Sequence, residues 1–437
     1  AAALPILRGA IASARGDHHG TDPKPIVMDL RTGPNIEAFL KRDDLSELAT
    51  RGVGSPDHVI RTKGQMLLIT ADDIASGASA ISSKVHSYVR SYKQVFERQN
   101  SRVGGNKIML EPHPCIAWVE GVGIAGIGKD AGAAAAAADI AEQTVEVMGL
   151  AETLSGFYPI GEDDVFDMEY WSLEQAKLAK ATAKSFTGQI VAITGGAGAI
   201  GLATAKGFLA HGAAVALIDQ DEDACRKAAE TLGGNTLVVT ADLAESGAAE
   251  SAVSSVCSRF GGLDIVVSNA GYAQQGDILQ LDDAALRASF EVNFFAHHQI
   301  AKAAATVFRK QAYGGQILFN VSKQAVNPGK GFGAYGLPKA TTFFLLRQLA
   351  LELGSEGIRV NGVNADRIRS GLLTDDFIES RADARGVSTN DYMAGNLLKR
   401  EVEAHHVADA FIALAKSERT TAHVMTVDGG NIEAALR

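Results

Sequence analysis

Three side chains in the C-terminal half have the types and the spacing for acid–base work on a carbonyl oxygen. Ser322 ends an apolar run (Ile317, Leu318, Phe319, Val321), a Gly/Pro-rich loop follows, and Tyr335 and Lys339 stand four residues apart. On a helix, i and i+4 share one face. An ammonium one turn from a phenol favours the phenolate and depresses the tyrosine pKa, which makes a general acid/base near neutral pH. Ser322, at a strand end, can donate to an oxygen that shares its proton with the tyrosine. Tyr-x-x-x-Lys alone also occurs by chance on many helices, so its meaning rests on what surrounds it.

What surrounds it is a succession of strands and helices. IVAIT (190–194) reads as a buried strand, and TGGAGAIG (194–201) opens a helix. Gly195 permits a tight turn, and Gly201 lets helix and sheet approach closely. The helix N-terminus offers amide donors to phosphates. The next strand, AVALID, ends at Asp219, 18 residues past Gly201. A carboxylate there accepts ribose hydroxyls and repels a 2′-phosphate. Its neighbours Gln220, Asp221 and Glu222 bring no cation, so NAD is favoured over NADP. TLVVTADL (236–243) ends in Asp242-Leu243, and LDIVVSNAG (263–271) ends in Asn269-Ala270-Gly271, where small residues leave room and Asn269 ties neighbouring strands. A long helix is expected over 284–310, with Asn293 in it and His297 and His298 one turn further as core or interface residues. The strand IRVNGVN (358–364) precedes Ala365-Asp366. Residues 367–400 read as a mobile substrate lid, with Arg367, Arg369, Arg381, Arg385 and Arg400 mainly as its solvated surface. HVMTVDGGN (423–431) supplies a last strand. Strand–helix alternation with ligand residues at the strand ends specifies a doubly wound parallel sheet, the Rossmann α/β class.

Ser-(x12)-Tyr-(x3)-Lys after a strand, the T-G-x-x-x-G-x-G loop and the Asn-Ala-Gly strand end resemble the short-chain dehydrogenase/reductase family, over residues 187–432. The resemblance implies that Tyr335 takes the substrate hydroxyl proton and that Ser322 orients the oxygen. Lys339 would lower the tyrosine pKa and hold the nicotinamide ribose, while Asn293 would hold a water linking the lysine to solvent. It implies NAD contacts at Gly195, Gly198, Ala199, Ile200, Gly201, Asp219, Asp242, Leu243, Asn269, Ala270, Gly271, Tyr335, Lys339, Ala365 and Ile368, with Asp242-Leu243 facing the adenine. Two departures stand out: Ala199 replaces the middle glycine of the loop, and Ala365-Asp366 replaces a Pro-Gly pair.

The first 182 residues read as a smaller α/β module, with the NAD-binding domain over 183–437. Up to Pro25 no period is evident, so the DHHG stretch with His18 and His19 reads as a loop. Strands are expected at 26–30, 107–110 and 116–119, and helices at 36–50 and 71–99. His58, Arg61 and Lys63 gather just before a strand, as surface or interdomain contacts rather than an anion site. Gly121, Gly123 and Gly126 spell G-x-G-x-x-G ahead of an Ala-rich helix at 130–149. That fingerprint needs the helix to start within the glycines and an acid on a following strand. The period-2 pattern of GVGIAGIG instead favours a tight turn and a second strand. SPDHVIRTKG, EGVGIAGIGKDA and PIGEDDVFDMEYWSLEQAKL resemble the middle portion of bifunctional aldolase/short-chain dehydrogenases linked to rhamnulose-1-phosphate aldolase. Zinc chemistry needs several histidines converging on one metal. None are evident, so the chain is expected to begin after the aldolase head and no metal site is assigned.

A net charge of −10 and a pI near 5.6 argue against nucleic acid or an anionic membrane as partner. Three scattered cysteines suit a reducing, cytoplasmic setting. The expected activity is NAD-dependent hydride transfer to or from a small hydroxy compound. If the aldolase link holds, the substrate is L-lactaldehyde or a deoxy-sugar derivative from rhamnose catabolism. The alternative is an aldolase-family protein (a lyase) whose dehydrogenase fold is an NAD-binding assembly platform. A homo-oligomer is expected in either case.

Overall fold

Strands buried on both faces read as unbroken apolar runs, and the computed structural model sets two such runs, 190–194 and 265–268, inside a seven-stranded parallel sheet whose edge strands are partly exposed. It describes residues 2–177, 183–233, 236–371 and 373–431. The strands are β5 (Ile190–Thr194), β6 (Ala214–Asp219), β7 (Thr236–Thr240), β8 (Ile265–Ser268), β9 (Gly315–Asn320), β10 (Ile358–Ala365) and β11 (Val424–Val427). Their order is β11-β10-β9-β8-β5-β6-β7, with every pairing parallel. The chain builds outward from β5 in one direction, then restarts beside it at β8 and builds the other way. That reversal is where a doubly wound sheet opens a crevice at its strand C-termini. β5 is buried at all five positions. The strands at 236–243 and 263–271 end early, at Thr240 and Ser268, so Asp242, Leu243 and Asn269–Gly271 lie on the loops beyond them.

The helix expected over 284–310 is not regular. It runs as Asp283–Phe290, a π turn over Glu291–Phe295 and then Ala296–Gln311. Single π turns inside α-helices concentrate at functional sites, and this one carries Asn293.

The chain divides into two compact units: Ala1–Gln189 with Cys257–Gly262 and Lys310–Tyr313, and Ile190–Val256 with Leu263–Arg309 and Gly314–Arg437. Leu178 and the boundary drawn at 182 lie outside the described residues. The first unit holds a four-stranded sheet of order β1-β4-β3-β2, from β1 (Val27–Arg31), β2 (Leu67–Ile69), β3 (Ile116–Val119) and β4 (Gly123–Gly128). Here the G-x-G-x-x-G stretch is a β3–β4 hairpin, turning at Gly121 (φ 69°). Its glycines serve packing. A Cβ on Gly126 would sit 2.3 Å from the Ala134 carbonyl oxygen and the Ala138 nitrogen. The helix Ala131–Leu154 therefore lies directly on the strand backbone.

Several expectations for this unit need correcting. The opening is a helix, Leu4–His19, with Leu4, Leu7, Ile11 and Ala14 buried at helical spacing, so His18 and His19 close a helix rather than sit in a loop. The helix at 36–50 is two, Pro34–Phe39 and Leu45–Arg51. That at 71–99 breaks at Gly77 (φ 87°) into Ala71–Ser76 and Ala78–Arg102. Residues 107–110 form no strand. Lys63 is buried, 3.9 Å over the Tyr92 ring and 3.5 Å from Glu169. Among the described residues no helix is long and apolar enough to cross a membrane.

Gly126→Val forces a branched side chain against helix backbone that cannot yield. We expect a loss of about 1–3 kcal/mol or more, read as earlier urea unfolding. A variant of unchanged stability that binds dinucleotide less tightly would instead revive the fingerprint reading.

Candidate active site

The crevice at the sheet's reversal is held by one amide side chain. Asn269 Nδ2 donates to the carbonyls of Thr194 (3.0 Å) and Gly195 (3.2 Å), and its Oδ1 accepts from Asn320 Nδ2 at 2.8 Å. Thr194 Oγ1 accepts the N–H groups of Asn269 (2.8 Å) and Ala270 (3.0 Å). The ends of β5, β8 and β9 are thereby fixed together. Gly195 takes φ 61°, a left-handed turn that favours glycine, and a Cβ on Gly201 would lie 2.2 Å from the Gly195 oxygen. The helix Ala199–Ala210, N-capped by Gly198, is thus pressed against the loop and begins at its last residues.

These elements bound a cleft of about 360 Å³ lined by Gly195, Gly198, Ala199, Ile200, Asp219, Asp242, Leu243, Asn269, Ala270 and Gly271. Gly201 packs behind the loop and does not line it. The Asp219 carboxylate stands at the β6 end, accepting from the N–H of Ala197 (3.1 Å) and of Asp221 (3.3 Å). The Asp242 carboxylate accepts from Ala244 N–H at 2.9 Å. A glycine turn, a helix N-terminus and an acid at the neighbouring strand end suit the phosphates and ribose of a dinucleotide. The residues therefore fit the cofactor that the sequence implies.

A second cleft, of about 450 Å³, shares Ile200, Asn320 and Ser370 with the first. Ser322, Tyr335, Ala365 and Ile368 line it. Ala365 and Ile368, expected as cofactor contacts, thus line this second cleft and not the first. Asp366, which follows Ala365, accepts from Lys323 Nζ at 2.9 Å and Asn431 Nδ2 at 3.0 Å. The helix Gly333–Leu353 carries Tyr335 and Lys339 as expected, and Ser322, whose Oγ accepts from the Gln324 N–H at 3.2 Å, lines the same cleft as Tyr335.

The expected depression of the tyrosine pKa is corrected. Burial pushes the Tyr335 phenol above its ordinary value, the neighbouring Ser322 hydroxyl opposing this in part. The lysine ammonium stands 5.8 Å from the ring centroid. It is Lys339 that moves into the neutral range, where burial brings its pKa down to about 7.

Lys339 Nζ donates to the Asn320 carbonyl at 3.1 Å and lies 3.2 Å from His297 Nε2. An ammonium has no acceptor, so against charged Lys339 the Nε2 must accept. Nδ1–H is then left to donate to Ser268 Oγ, 2.6 Å away. Burial, with the lysine cation beside it, holds the imidazole well below its ordinary pKa and therefore neutral. His297 was expected as core or interface. It is core, and it also touches the lysine. The i+4 step from Asn293 is the available signal, but spacing alone does not say that the lysine lies on that face. Asn293 Nδ2 donates to the Tyr272 carbonyl at 2.8 Å, while its Oδ1 is buried without a protein partner. A Cβ on Gly271 would meet that Oδ1 at 2.9 Å and Lys339 Nζ at 3.5 Å. Both polar atoms therefore flank the same glycine.

A lysine whose pKa falls from 10.5 to about 7 on folding releases a proton in that window, so its contribution to stability rises with pH from 7 to 10.5. Lys339→Met removes this dependence. The stability gained by the variant over the parent should be largest at or below pH 7 and shrink towards pH 10, read from urea midpoints. Equal gains at pH 7 and 9.5 would show that the amine is not desolvated.

Residues 1–178 match the family model described as aldolase class II, second domain, and residues 195–431, more than half of the chain, match that described as enoyl-(acyl carrier protein) reductase. The uncharacterized oxidoreductase YuxG of Bacillus subtilis is 28% identical over 98% of this chain, which spans 63% of that protein's length. L-rhamnose 1-dehydrogenase (NAD(P)(+)) of Sphingomonas sp. is 28% identical, covering 56% of this chain and 97% of its own. The NADH complex of 3-ketoacyl-(acyl-carrier-protein) reductase from Brucella melitensis superposes with a TM-score of 0.52 at 25% identity, over 56% of this chain and 99% of that one. Sheet order, glycine loop and Ser-Tyr-Lys arrangement agree with these likenesses: the chain belongs to the short-chain dehydrogenase/reductase family of oxidoreductases.

Proposed function

We propose that this protein is an NAD-dependent dehydrogenase that moves hydride between the nicotinamide and a small hydroxy compound, with L-lactaldehyde or a deoxy-sugar derivative as candidate substrate. The observation carrying this reading is the shared wall of the two clefts, with Ser322 and Tyr335 on the far side of it. When bound, the nicotinamide supplies the hydride acceptor. Tyr335 takes or returns the proton of the reacting hydroxyl, and Ser322, lining the same cleft, orients the same oxygen. Lys339, with a pKa near 7, passes the proton onward past Asn293 Oδ1.

Asp219 at the β6 end supports NAD over NADP, since no cation stands at Gln220, Asp221 or Glu222 to meet a 2′-phosphate. The deoxy-sugar reading draws on the aldolase class II match and on the name of the L-rhamnose relative. Leu337, Phe344 and Leu351 lie exposed at seven-residue spacing on the Tyr335 helix, which supports a homo-oligomer. Three free cysteines support a cytoplasmic setting. The aldolase match also favours a second reading, in which the fold binds NAD only as a platform. There NAD would bind normally and no hydroxy compound would be turned over.

The test is NADH formation with short hydroxy-aldehydes, polyols and deoxy sugars. Tyr335→Phe should lower kcat by about 10²–10⁴ while leaving NAD affinity in place, and unchanged turnover would sink the assignment. Separately, Asp219→Ser should shift the kcat/KM ratio towards NADP, and an unmoved ratio would remove Asp219 from cofactor selection.

A further inference from the structure

We propose, resting on the dehydrogenase reading above and narrowing its candidates to an acidic deoxy-sugar derivative rather than L-lactaldehyde, that the substrate carries a phosphate or carboxylate, and that Arg381 is the residue that binds it. The cleft beside Tyr335 is lined by Lys323, Lys330, Arg367, Arg381 and Arg385, with Asp366 as its one acid among the described residues. The protein as a whole carries −10, so this excess of cations is local. Asp366 is already engaged: it accepts from Lys323 and Asn431 and lies 3.5 Å from Arg367 Nε.

Arg381 differs from the other lid arginines. Arg369 pairs with Glu401 and Asp375, as a solvated lid residue should. The Arg381 guanidinium has no carboxylate partner among the described residues, and its Nε is buried with no hydrogen-bond acceptor. Its carbon stands 5.2 Å from the Phe332 ring and 5.9 Å from that of Phe377. The two rings themselves meet edge-on at 6.2 Å. A planar fork held by aromatic rings is preorganised for bidentate recognition of an oxyanion. Phe332 also fixes its distance from the chemistry, because the Phe332 carbonyl accepts the Tyr335 N–H at 3.1 Å. Arg385 reaches back to the Arg381 carbonyl at 3.2 Å, and both it and Arg367 lie over the Tyr392 ring, at 5.1 and 4.8 Å. Like charges gathered this closely repel, and a bound anion relieves that repulsion. A cleft lined by one sign of charge also focuses its field on an incoming ligand of the other.

The experiment uses the full chain with saturating NAD and matched hydroxy compounds of one carbon skeleton, ending in a primary alcohol, a carboxylate or a phosphate monoester. We expect one charged member to exceed the neutral one in kcat/KM by about 10- to 100-fold, and the winning member distinguishes phosphate from carboxylate. Arg381→Gln should abolish that preference, and Arg381→Lys should restore part of it. Equal turnover of charged and neutral members by the parent overturns the proposal. So does a loss of NAD affinity in Arg381→Gln matching its loss of substrate, which would assign the arginine to the cofactor's phosphates. If no hydroxy compound is turned over, the dehydrogenase reading fails on its own. Isothermal titration of inorganic phosphate and of acetate then decides the anion site: binding by the parent and not by Arg381→Gln sustains it, and no binding by the parent rejects it.

Discussion

A primary amine taken out of water is the constraint on which this site is built. Lys339 is 2% exposed, and a desolvated ammonium is unfavourable unless its donors are met. The protein meets two of them with the Asn320 carbonyl at the end of β9 and with a neutral His297. That arrangement asks something of each element around it. β9 must end with its carbonyl turned towards the helix, His297 must be kept uncharged, and position 271 must lack a side chain, since a Cβ there would crowd both Nζ and Asn293 Oδ1. The amine that results titrates near neutrality, where a proton carrier is most useful.

The Asn269 clamp does comparable work on the cofactor side. Because one side chain bonds the ends of three strands, the glycine turn at Gly195 and the wall shared by the two clefts are set by the same contacts. The two clefts therefore rest on a common rigid edge, as site geometry requires.

Much of this could be read from the residues. Buried strands announce themselves as apolar runs, and Gly195, Gly201, Asp219, Asn269, Ser322, Tyr335 and Lys339 are recognisable by spacing within that pattern. The hairpin at Gly121–Gly128 was legible too, from its two-residue period. What the sequence hid was whatever depends on burial. Spacing put a cation near a phenol and so implied a depressed tyrosine. Once both groups are enclosed, desolvation outweighs that attraction, and the lysine moves instead. The opening helix was missed because alanines and an arginine blur its apolar stripe. Lys63 and Arg381 looked like surface charges because nothing in their neighbours reveals that Tyr92 and Glu169, or Phe332 and Phe377, fold over them.

The π turn at Glu291–Phe295 has a further consequence. It holds one residue more than the α-helical turn it interrupts. The extra residue is absorbed within that one turn, so the helices on either side keep nearly the phase of a regular helix while the residues inside the turn do not. Asn293 lies inside the turn, whereas His297 lies beyond it on the regular helix. An irregularity confined to one turn can therefore re-aim the Asn293 side chain while leaving the helices that flank it in register.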